Sequence, residues 1–243
     1  MRIISFILLI FSLWSFSSKA DSLSELWERY SSLSESNLQA KIQEDCPGHI
    51  VSYSDSFTYN WKYRSSTYEL HYTEQQTLSK SIYSLALYSK DISKDISKEK
   101  FYSGVAGFHY TAEQIADWVN SVLNGFSQVN YDENRFINTL IKDNVIIFND
   151  GKFIPSLKIK HVLGAAPGKK STLAANLLHE RLHVFWDNDA NFKQHYLSRW
   201  NKMTSKEQED IKKEFKNYNQ DNINQIIEEW AINEAQKGNF NIE

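Results

Sequence analysis

The segment 179–183, with the sequence His-Glu-Arg-Leu-His, constrains this chain more than any other, because it is an HExxH motif. Residues four apart on an α-helix are separated by about 400° of rotation, so His179 and His183 share a face and can offer two ring nitrogens to one ion. Glu180 follows the first histidine directly and is placed to act as a general base on a water held by that ion. The motif therefore predicts a Zn²⁺ site with His179 and His183 as ligands and Glu180 as the catalytic residue.

The residues around the motif favour a buried helix. Ser171 or Thr172 can accept hydrogen bonds from the first amide groups and so begin the helix. The apolar residues recur at helical spacing and form one packing face: Leu173, Leu177, Leu178, Leu182 and Phe185. A helix packed in this way holds its metal ligands in fixed positions.

Two histidines leave a catalytic zinc site incomplete, and a helix predicted downstream, over residues 221–237, offers the third ligand. Asp221 is its candidate cap, and its apolar face is formed by Ile223, Ile226, Ile227, Trp230 and Ala231. Glu228, Glu229 and Glu234 lie on the same helix. A carboxylate among apolar neighbours requires a partner, which a metal ion would provide.

With these two helices the chain resembles the gluzincin clan of zinc metallopeptidases. In some members of the clan the third ligand is a helical glutamate followed directly by an aromatic residue, and the sequence 229–231, Glu-Trp-Ala, is similar to that pattern. The resemblance implies Glu229 as the third ligand. The sequence 233–235, Asn-Glu-Ala, is similar to another branch of the clan, which makes Glu234 the second choice and Glu228 the third.

A different source of the third ligand is Asp189, which lies six residues after His183, where enzymes of the metzincin type carry theirs. In those enzymes a glycine lets the chain turn sharply, whereas this chain has Trp186, which does not easily take the left-handed conformation. We therefore rank the helix glutamates above Asp189. Arg181 departs from the zinc-peptidase pattern, which usually has an uncharged residue there, and we expect it at the solvent edge of the helix.

The first 20 residues have the pattern of a secretory signal peptide, with an early basic residue, an apolar core and a small-x-small ending at Ser18 and Ala20. Removal of Arg2 and Lys19 by cleavage would change the formal net charge from −3 to −5. This mild acidity gives no reason to expect nucleic acid as a partner, and the apolar run is too short for a comfortable membrane span. We expect a secreted or periplasmic protein without stable membrane insertion.

Residues 21–243 are numerous enough to form one domain, and the chain is 41% hydrophobic. We expect an α+β fold with a small mixed or antiparallel sheet, zincin-like by resemblance, with an α+β part over about 21–170 and a helical part over about 171–243. Cys46 is the only cysteine, so no internal disulfide can form. Its thiol raises the hypothesis of a latency switch that caps the zinc.

Strand signals are concentrated before the motif. Alternating aromatic and polar residues over 51–72 predict a hairpin joined near residues 65–66, and the sequence 145–154 predicts a strand, a turn and a strand. Residues 157–163 predict a further strand, whereas 104–107 has the composition of a flexible loop. The resemblance to zincins implies an edge strand that pairs with an extended substrate, and we expect it between residues 145 and 163.

The predicted chemistry is hydrolysis by a zinc-activated water, and the resemblance implies a peptidase acting on a peptide or protein substrate. Tyr196, His195 and Tyr218 are candidates for stabilising the oxyanion. The alternative is a zinc-stabilised secreted binding or scaffold protein without catalysis. Glu180 argues against this alternative, because a structural zinc site has no need of a base. The sequence predicts neither the substrate nor the oligomeric state.

Overall fold

The computed structural model describes residues 61–242 with the exception of Lys94, Phe126 and Asn239. Within this part of the chain nine α-helices and five β-strands form an α+β fold. The predicted signal peptide over residues 1–20, the first part of the predicted hairpin and Cys46 lie outside the described residues. Among residues 61–242, no helix combines the length and the apolar character that a membrane-spanning segment requires.

The strands form one sheet and one separate hairpin. The five strands are β1 (Thr67–His71), β2 (Gly107–Thr111), β3 (Ile146–Asn149), β4 (Lys152–Pro155) and β5 (His161–Ala165). The sheet has the order β1, β5, β2, with β5 parallel to β1 and antiparallel to β2. Strands β3 and β4 pair with each other. Consequently β5 is the central strand of the sheet and β2 is an edge strand.

The helices lie in two groups along the chain. The first group contains α1 (Gln75–Ser81), α2 (Tyr83–Tyr88), α3 (Lys98–Gly104), α4 (Ala112–Leu123) and α5 (Tyr131–Lys142). The second follows the last strand and contains α6 (Leu173–Asn188), α7 (Ala190–Asn201), α8 (Ser205–Glu214) and α9 (Ile223–Lys237). The predicted helical C-terminal part is therefore present from Leu173 onward, and α6 carries the HExxH motif.

The sheet separates two hydrophobic cores, because successive side chains of a strand point to opposite faces. On β5, Val162 packs in the core formed with the first group of helices, and Leu163 packs in the core formed with the second group. On β2, Phe108 and Tyr110 face the first core, so Gly107 and His109 face the other side. Helix α6 contacts both β2 and β5 and also packs on α9. The motif helix thus lies between the sheet and the last helix.

Local capping signals predicted several helix starts correctly. The Thr172 hydroxyl accepts a hydrogen bond from the Ala175 amide and begins α6. Thr111 and Thr204 form the expected capping boxes of α4 and α8. Helix α9 is capped by Asn222 instead of Asp221, since the Asn222 side chain accepts from the Gln225 amide. These starts depend on residues three apart, which a sequence displays directly.

The strand predictions were less accurate. The strand-turn-strand prediction over 145–154 is confirmed by β3 and β4. The hairpin predicted over 51–72 lies partly outside the described residues; from residue 61 onward Arg64–Ser66 is a 3₁₀ turn, and β1 pairs in parallel with β5. The predicted position of the edge strand, between residues 145 and 163, is wrong. The edge strand against the motif helix is β2, which starts in the predicted flexible loop, and β5 has neighbours on both sides.

Arg181 is buried with 0% exposure, so its expected position at the solvent edge is wrong. Its Nε and Nη2 atoms donate to the two carboxylate oxygens of Glu69 on β1, each at 2.7 Å. At this turn α6 has the sheet on one side and α9 on the other, which leaves no solvent edge. The guanidinium is tolerated inside the protein because a carboxylate from the sheet neutralises it in a bidentate pair.

Candidate metal centre

Helices α6 and α9 bring two histidines and a glutamate to one point. His179 and His183 lie one turn apart on α6, and Glu229 on α9 faces both rings. The Nε2 atom of His179 lies 3.4 Å from Glu229 Oε2, and the Nε2 atom of His183 lies 3.8 Å from Glu229 Oε1. Ligand atoms bound tetrahedrally at about 2.0–2.1 Å lie about 3.4 Å from one another. The observed spacing therefore fits a shared cation after small shifts.

The outer nitrogens of both rings are already occupied. The Nδ1 atom of His183 donates to Glu228 Oε1 at 2.7 Å. The Nδ1 atom of His179 lies 3.3 Å from Gln236 Oε1, and the Gln236 amide is oriented by its own donation to the Ala175 carbonyl at 2.7 Å. Because Gln236 must then accept from His179, the proton of that ring belongs on Nδ1. Both Nε2 atoms are thus the ring nitrogens left to face a metal ion, which would take the place of any proton there.

Two further observations fit a cation at this point. Glu229 Oε2 is buried and has no hydrogen-bond partner among the described residues, a costly arrangement that a metal bond would relieve. Burial opposes the charged form of His183, but the carboxylates of Glu229, Glu228 and Glu180 raise its pKa to about 10. A group of carboxylates that holds a proton so firmly also favours a metal cation in its place.

The other candidate third ligands lie elsewhere. Glu234 pairs with Arg199 at 2.9 Å and with Lys237 at 3.2 Å. Asp189 pairs with Lys62 at 2.7 Å and caps α7. Neither belongs to any group of His, Cys, Asp and Glu in residues 61–242 whose ligand atoms lie within 4.8 Å of one another. Glu229 as a metal ligand stays a prediction. It is the candidate whose carboxylate oxygens lie nearest to the Nε2 atoms of His179 and His183, at 3.4 and 3.8 Å.

Glu228 accepts from the outer Nδ1 atom of His183 and does not face the candidate metal position. We therefore expect Glu228→Gln to weaken metal binding about tenfold and not to abolish it. A partner that only orients a ligating histidine typically contributes 10–100-fold in affinity. The matched variant Glu229→Gln, one residue away, should lose more than about 100-fold. Competition with a chromogenic chelator measures both affinities. Equal losses in the two variants would contradict this division of roles.

Glu180 lies beside the candidate metal position, with its Oε2 atom 4.0 Å from His183 Nε2. Its side chain also reaches the edge strand at Gly107, where an added Cβ would lie 2.2 Å from Glu180 Oε1. Only glycine at position 107 therefore permits this close approach. Burial raises the pKa of the Glu180 carboxyl to about 7, although His179 and His183 act in the opposite direction. A carboxyl that exchanges a proton near neutral pH suits general acid-base chemistry.

A cleft of about 430 Å³ opens onto these residues. Its wall combines His179, Glu180, His183 and Glu229 with apolar side chains of the first core, among them Ile82 and Phe101. Strand β2 contributes every residue from Gly107 to Thr111 to the lining. The candidate metal position is thus open to a ligand of small-molecule or peptide size instead of being closed inside the protein.

Of the three candidates for oxyanion stabilisation, Tyr218 alone lines the cleft. Its hydroxyl lies against the Glu229 carboxylate, and burial, Glu229 and Glu180 together raise the pKa of Tyr218 well above its usual range. The phenol consequently keeps its proton and can donate it in a hydrogen bond. His195 is exposed, and Tyr196 packs against Trp230 in the second core.

Sequence reasoning missed His109, His161 and Asp187, which lie next to the HExxH residues. The His109 ring stacks on the His183 ring at a centroid distance of 5.7 Å. Burial lowers the pKa of both His109 and His161, so neither ring carries a charge near neutral pH. The one available signal was the alternation of Phe108 and Tyr110 around His109, which is typical of a strand with one face in the core.

The complete arrangement places two imidazoles, the carboxylates of Glu229 and Glu180 and the Tyr218 phenol around one position in an open cleft. Such a nitrogen and oxygen donor set fits a divalent cation. No protein-family model, curated protein or solved structure matches this chain, so the chemistry of these side chains carries the functional argument.

Proposed function

We propose that this chain is a zinc-dependent peptidase in which His179, His183 and Glu229 hold the zinc and Glu180 is the general base. The observation that carries the proposal is the convergence of two Nε2 atoms on the Glu229 carboxylate while both Nδ1 atoms are occupied by other partners. Two imidazoles and one carboxylate form a ligand set known for catalytic zinc, and three protein ligands leave a position for water.

The residues around the site have roles that fit amide hydrolysis. When bound, zinc supplies a Lewis acid that lowers the pKa of water to about 7 and polarises a carbonyl. Glu180 removes the proton of the attacking water and passes it to the departing amine nitrogen. The Tyr218 hydroxyl donates a hydrogen bond to the carbonyl oxygen as negative charge develops there.

The edge strand β2 would position the substrate. It pairs with β5 on one side, and in residues 61–242 no strand pairs with its other side. The backbone of an extended peptide can pair with such an edge and so run past Glu180, which touches β2 at Gly107. An edge strand beside an HExxH helix supports a zincin-like architecture, and a ligand glutamate on a later helix, followed by Trp230, supports the gluzincin-like form.

The proposed partner is an extended peptide or protein substrate. The signal-peptide pattern of residues 1–20 supports a secreted or periplasmic location, where such substrates are available to a released enzyme. The 430 Å³ cleft is large enough for a few side chains next to the scissile bond. Neither the net charge of −3 nor the cleft lining favours nucleic acid as the substrate.

We expect the purified protein to contain zinc and to cleave members of a mixed peptide library, with products identified by mass spectrometry. His179→Ala should lose both the zinc bound at this centre and the cleavage, because it removes one of the three proposed ligands. A chelator such as 1,10-phenanthroline should stop cleavage by the native protein, and added Zn²⁺ should restore it.

The matched control is His195→Ala, which removes an exposed histidine that does not line the cleft and should leave zinc content and cleavage unchanged. Cleavage that persists in His179→Ala or in the presence of chelator would overturn the proposal. Zinc bound at His179 with no cleavage of any library peptide would favour the alternative of a zinc-stabilised binding or scaffold protein.

A further inference from the structure

A second cluster of metal-ligating side chains lies next to the first one on the same face of the sheet. His109 on β2 and His161 on β5 are diagonal neighbours, because His109 pairs with Leu163 and His161 pairs with Thr111. Asp187 joins them from the last turn of α6, one turn after His183. The cluster therefore combines three separate elements, and none of its members belongs to the proposed zinc ligands.

The ligand atoms of this cluster converge closely. His109 Nε2 lies 3.0 Å from His161 Nδ1, and Asp187 Oδ2 lies 3.7 Å from the first and 3.9 Å from the second. These separations lie on both sides of the roughly 3.4 Å that tetrahedral ligands at about 2.0–2.1 Å require. Two imidazoles and a carboxylate are the same donor set as in the proposed zinc site, and imidazole ligands favour zinc, cobalt, nickel or copper.

The surroundings hold the cluster in place and leave it accessible. The His161 side chain is 5% exposed and that of His109 is 9% exposed, whereas the Asp187 side chain is 34% exposed. Asn188 donates to the Val184 carbonyl at 2.8 Å and to His161 Nε2 at 2.9 Å, which fixes the His161 ring from its outer side. Asp187 accepts no hydrogen bond from the described residues, so its carboxylate is available to an ion that enters from the solvent side.

Without an ion, the contact with Asn188 lets the His161 ring donate a hydrogen bond to the His109 ring. Because the Asn188 amide donates to His161 Nε2, the proton of a neutral His161 lies on Nδ1 and is donated to His109 Nε2. Binding of a metal at His161 Nδ1 would move the proton of this neutral ring to Nε2, where the Asn188 side-chain oxygen can accept it after rotation of the amide, and would give the two facing nitrogens and the Asp187 carboxylate a common partner. A simple hydrogen-bonded pair of rings does not account for a carboxylate within 4 Å of both nitrogens.

We propose that His109, His161 and Asp187 form a second divalent-cation site beside the HExxH centre. The stacked rings of His109 and His183 are the wall between the two sites. His109 and Asp187 also line the cleft. A site with three protein ligands keeps a position for water or for an oxygen of a bound ligand, and here that position adjoins the cleft.

The test is the number of metal ions bound per chain, measured with Zn²⁺ and with Co²⁺ after removal of excess metal. We expect two ions in the native protein and one in Asp187→Asn, with the affinity for the lost ion reduced more than about 100-fold, since even an outer partner of a ligand contributes 10–100-fold. Asp189→Asn is the matched control, two residues away and paired with Lys62, and should still bind two ions.

His179→Ala should also bind one ion, and the double variant with Asp187→Asn should bind none. The native Co²⁺ spectrum should be the sum of the spectra of the two single variants. Should Asp187→Asn fail to fold by circular dichroism, His109→Ala supplies the same measurement. One ion in the native protein, lost in His179→Ala and kept in Asp187→Asn, would overturn the second site alone. One ion lost in Asp187→Asn and kept in His179→Ala would support the second site and overturn the proposed zinc centre.

Discussion

Replacement of Glu180 by glutamine should lower the rate of peptide hydrolysis by about 10²–10⁴-fold, the usual contribution of a positioned general base. Glutamine has the same shape as glutamate, so it fits the space beside Gly107 that Glu180 occupies. Its amide cannot take a proton from water. The proposed ligands His179, His183 and Glu229 are untouched by the change, and metal content should therefore equal that of the native protein.

The separation of metal binding from hydrolysis makes this variant informative. Metal content is measured on the same protein preparation whose hydrolysis is followed with peptides cleaved by the native protein. Glu234→Gln is the control, because Glu234 is on α9 like the proposed ligand but pairs with Arg199 and Lys237 outside the cleft. Undiminished hydrolysis by the Glu180 variant would remove Glu180 from the mechanism.

The parts of the site that depend on local spacing were predictable from the sequence. Two histidines four residues apart on a capped helix have a common face whatever the rest of the fold is. Glu229 was favoured by the resemblance to gluzincins, because Trp230 follows it directly on a predicted helix, and the structure places its carboxylate against His179 and His183. A helix face is a property of residues three and four apart, which the sequence displays.

The parts that depend on long-range pairing were not predictable. Strand β2 has five residues, one of them glycine, and its identity as the edge strand depends on pairing with β5 more than 50 residues later. His109 and His161 approach each other only through that pairing. Arg181 was expected at the surface because its partner Glu69 is 112 residues away in the sequence. The residues next to Arg181 in the sequence do not indicate that a carboxylate of β1 pairs with it.

Glu69→Ala should lower the free energy of unfolding by about 3–5 kcal/mol, the usual cost of removing one partner of a buried ion pair. The variant leaves the Arg181 guanidinium at 0% exposure without its two charged hydrogen bonds. Because Arg181 lies inside the HExxH motif, movement of its side chain toward solvent would also disturb α6. Denaturant unfolding followed by far-ultraviolet circular dichroism measures the change in stability.

We expect the cost to arise from burial of the Arg181 charge without the Glu69 carboxylate and not from the loss of the pair itself, and a double variant tests this distinction. Glu69→Leu together with Arg181→Met replaces both charged groups by apolar side chains of similar size, and such replacements are often neutral or stabilising. We expect the double variant to unfold close to the native protein and well above Glu69→Ala. Lys213→Gln, which breaks the exposed pair with Asp210, should leave stability unchanged. A double variant as unstable as Glu69→Ala would mean that the specific geometry between α6 and β1, and not charge balance, requires this pair.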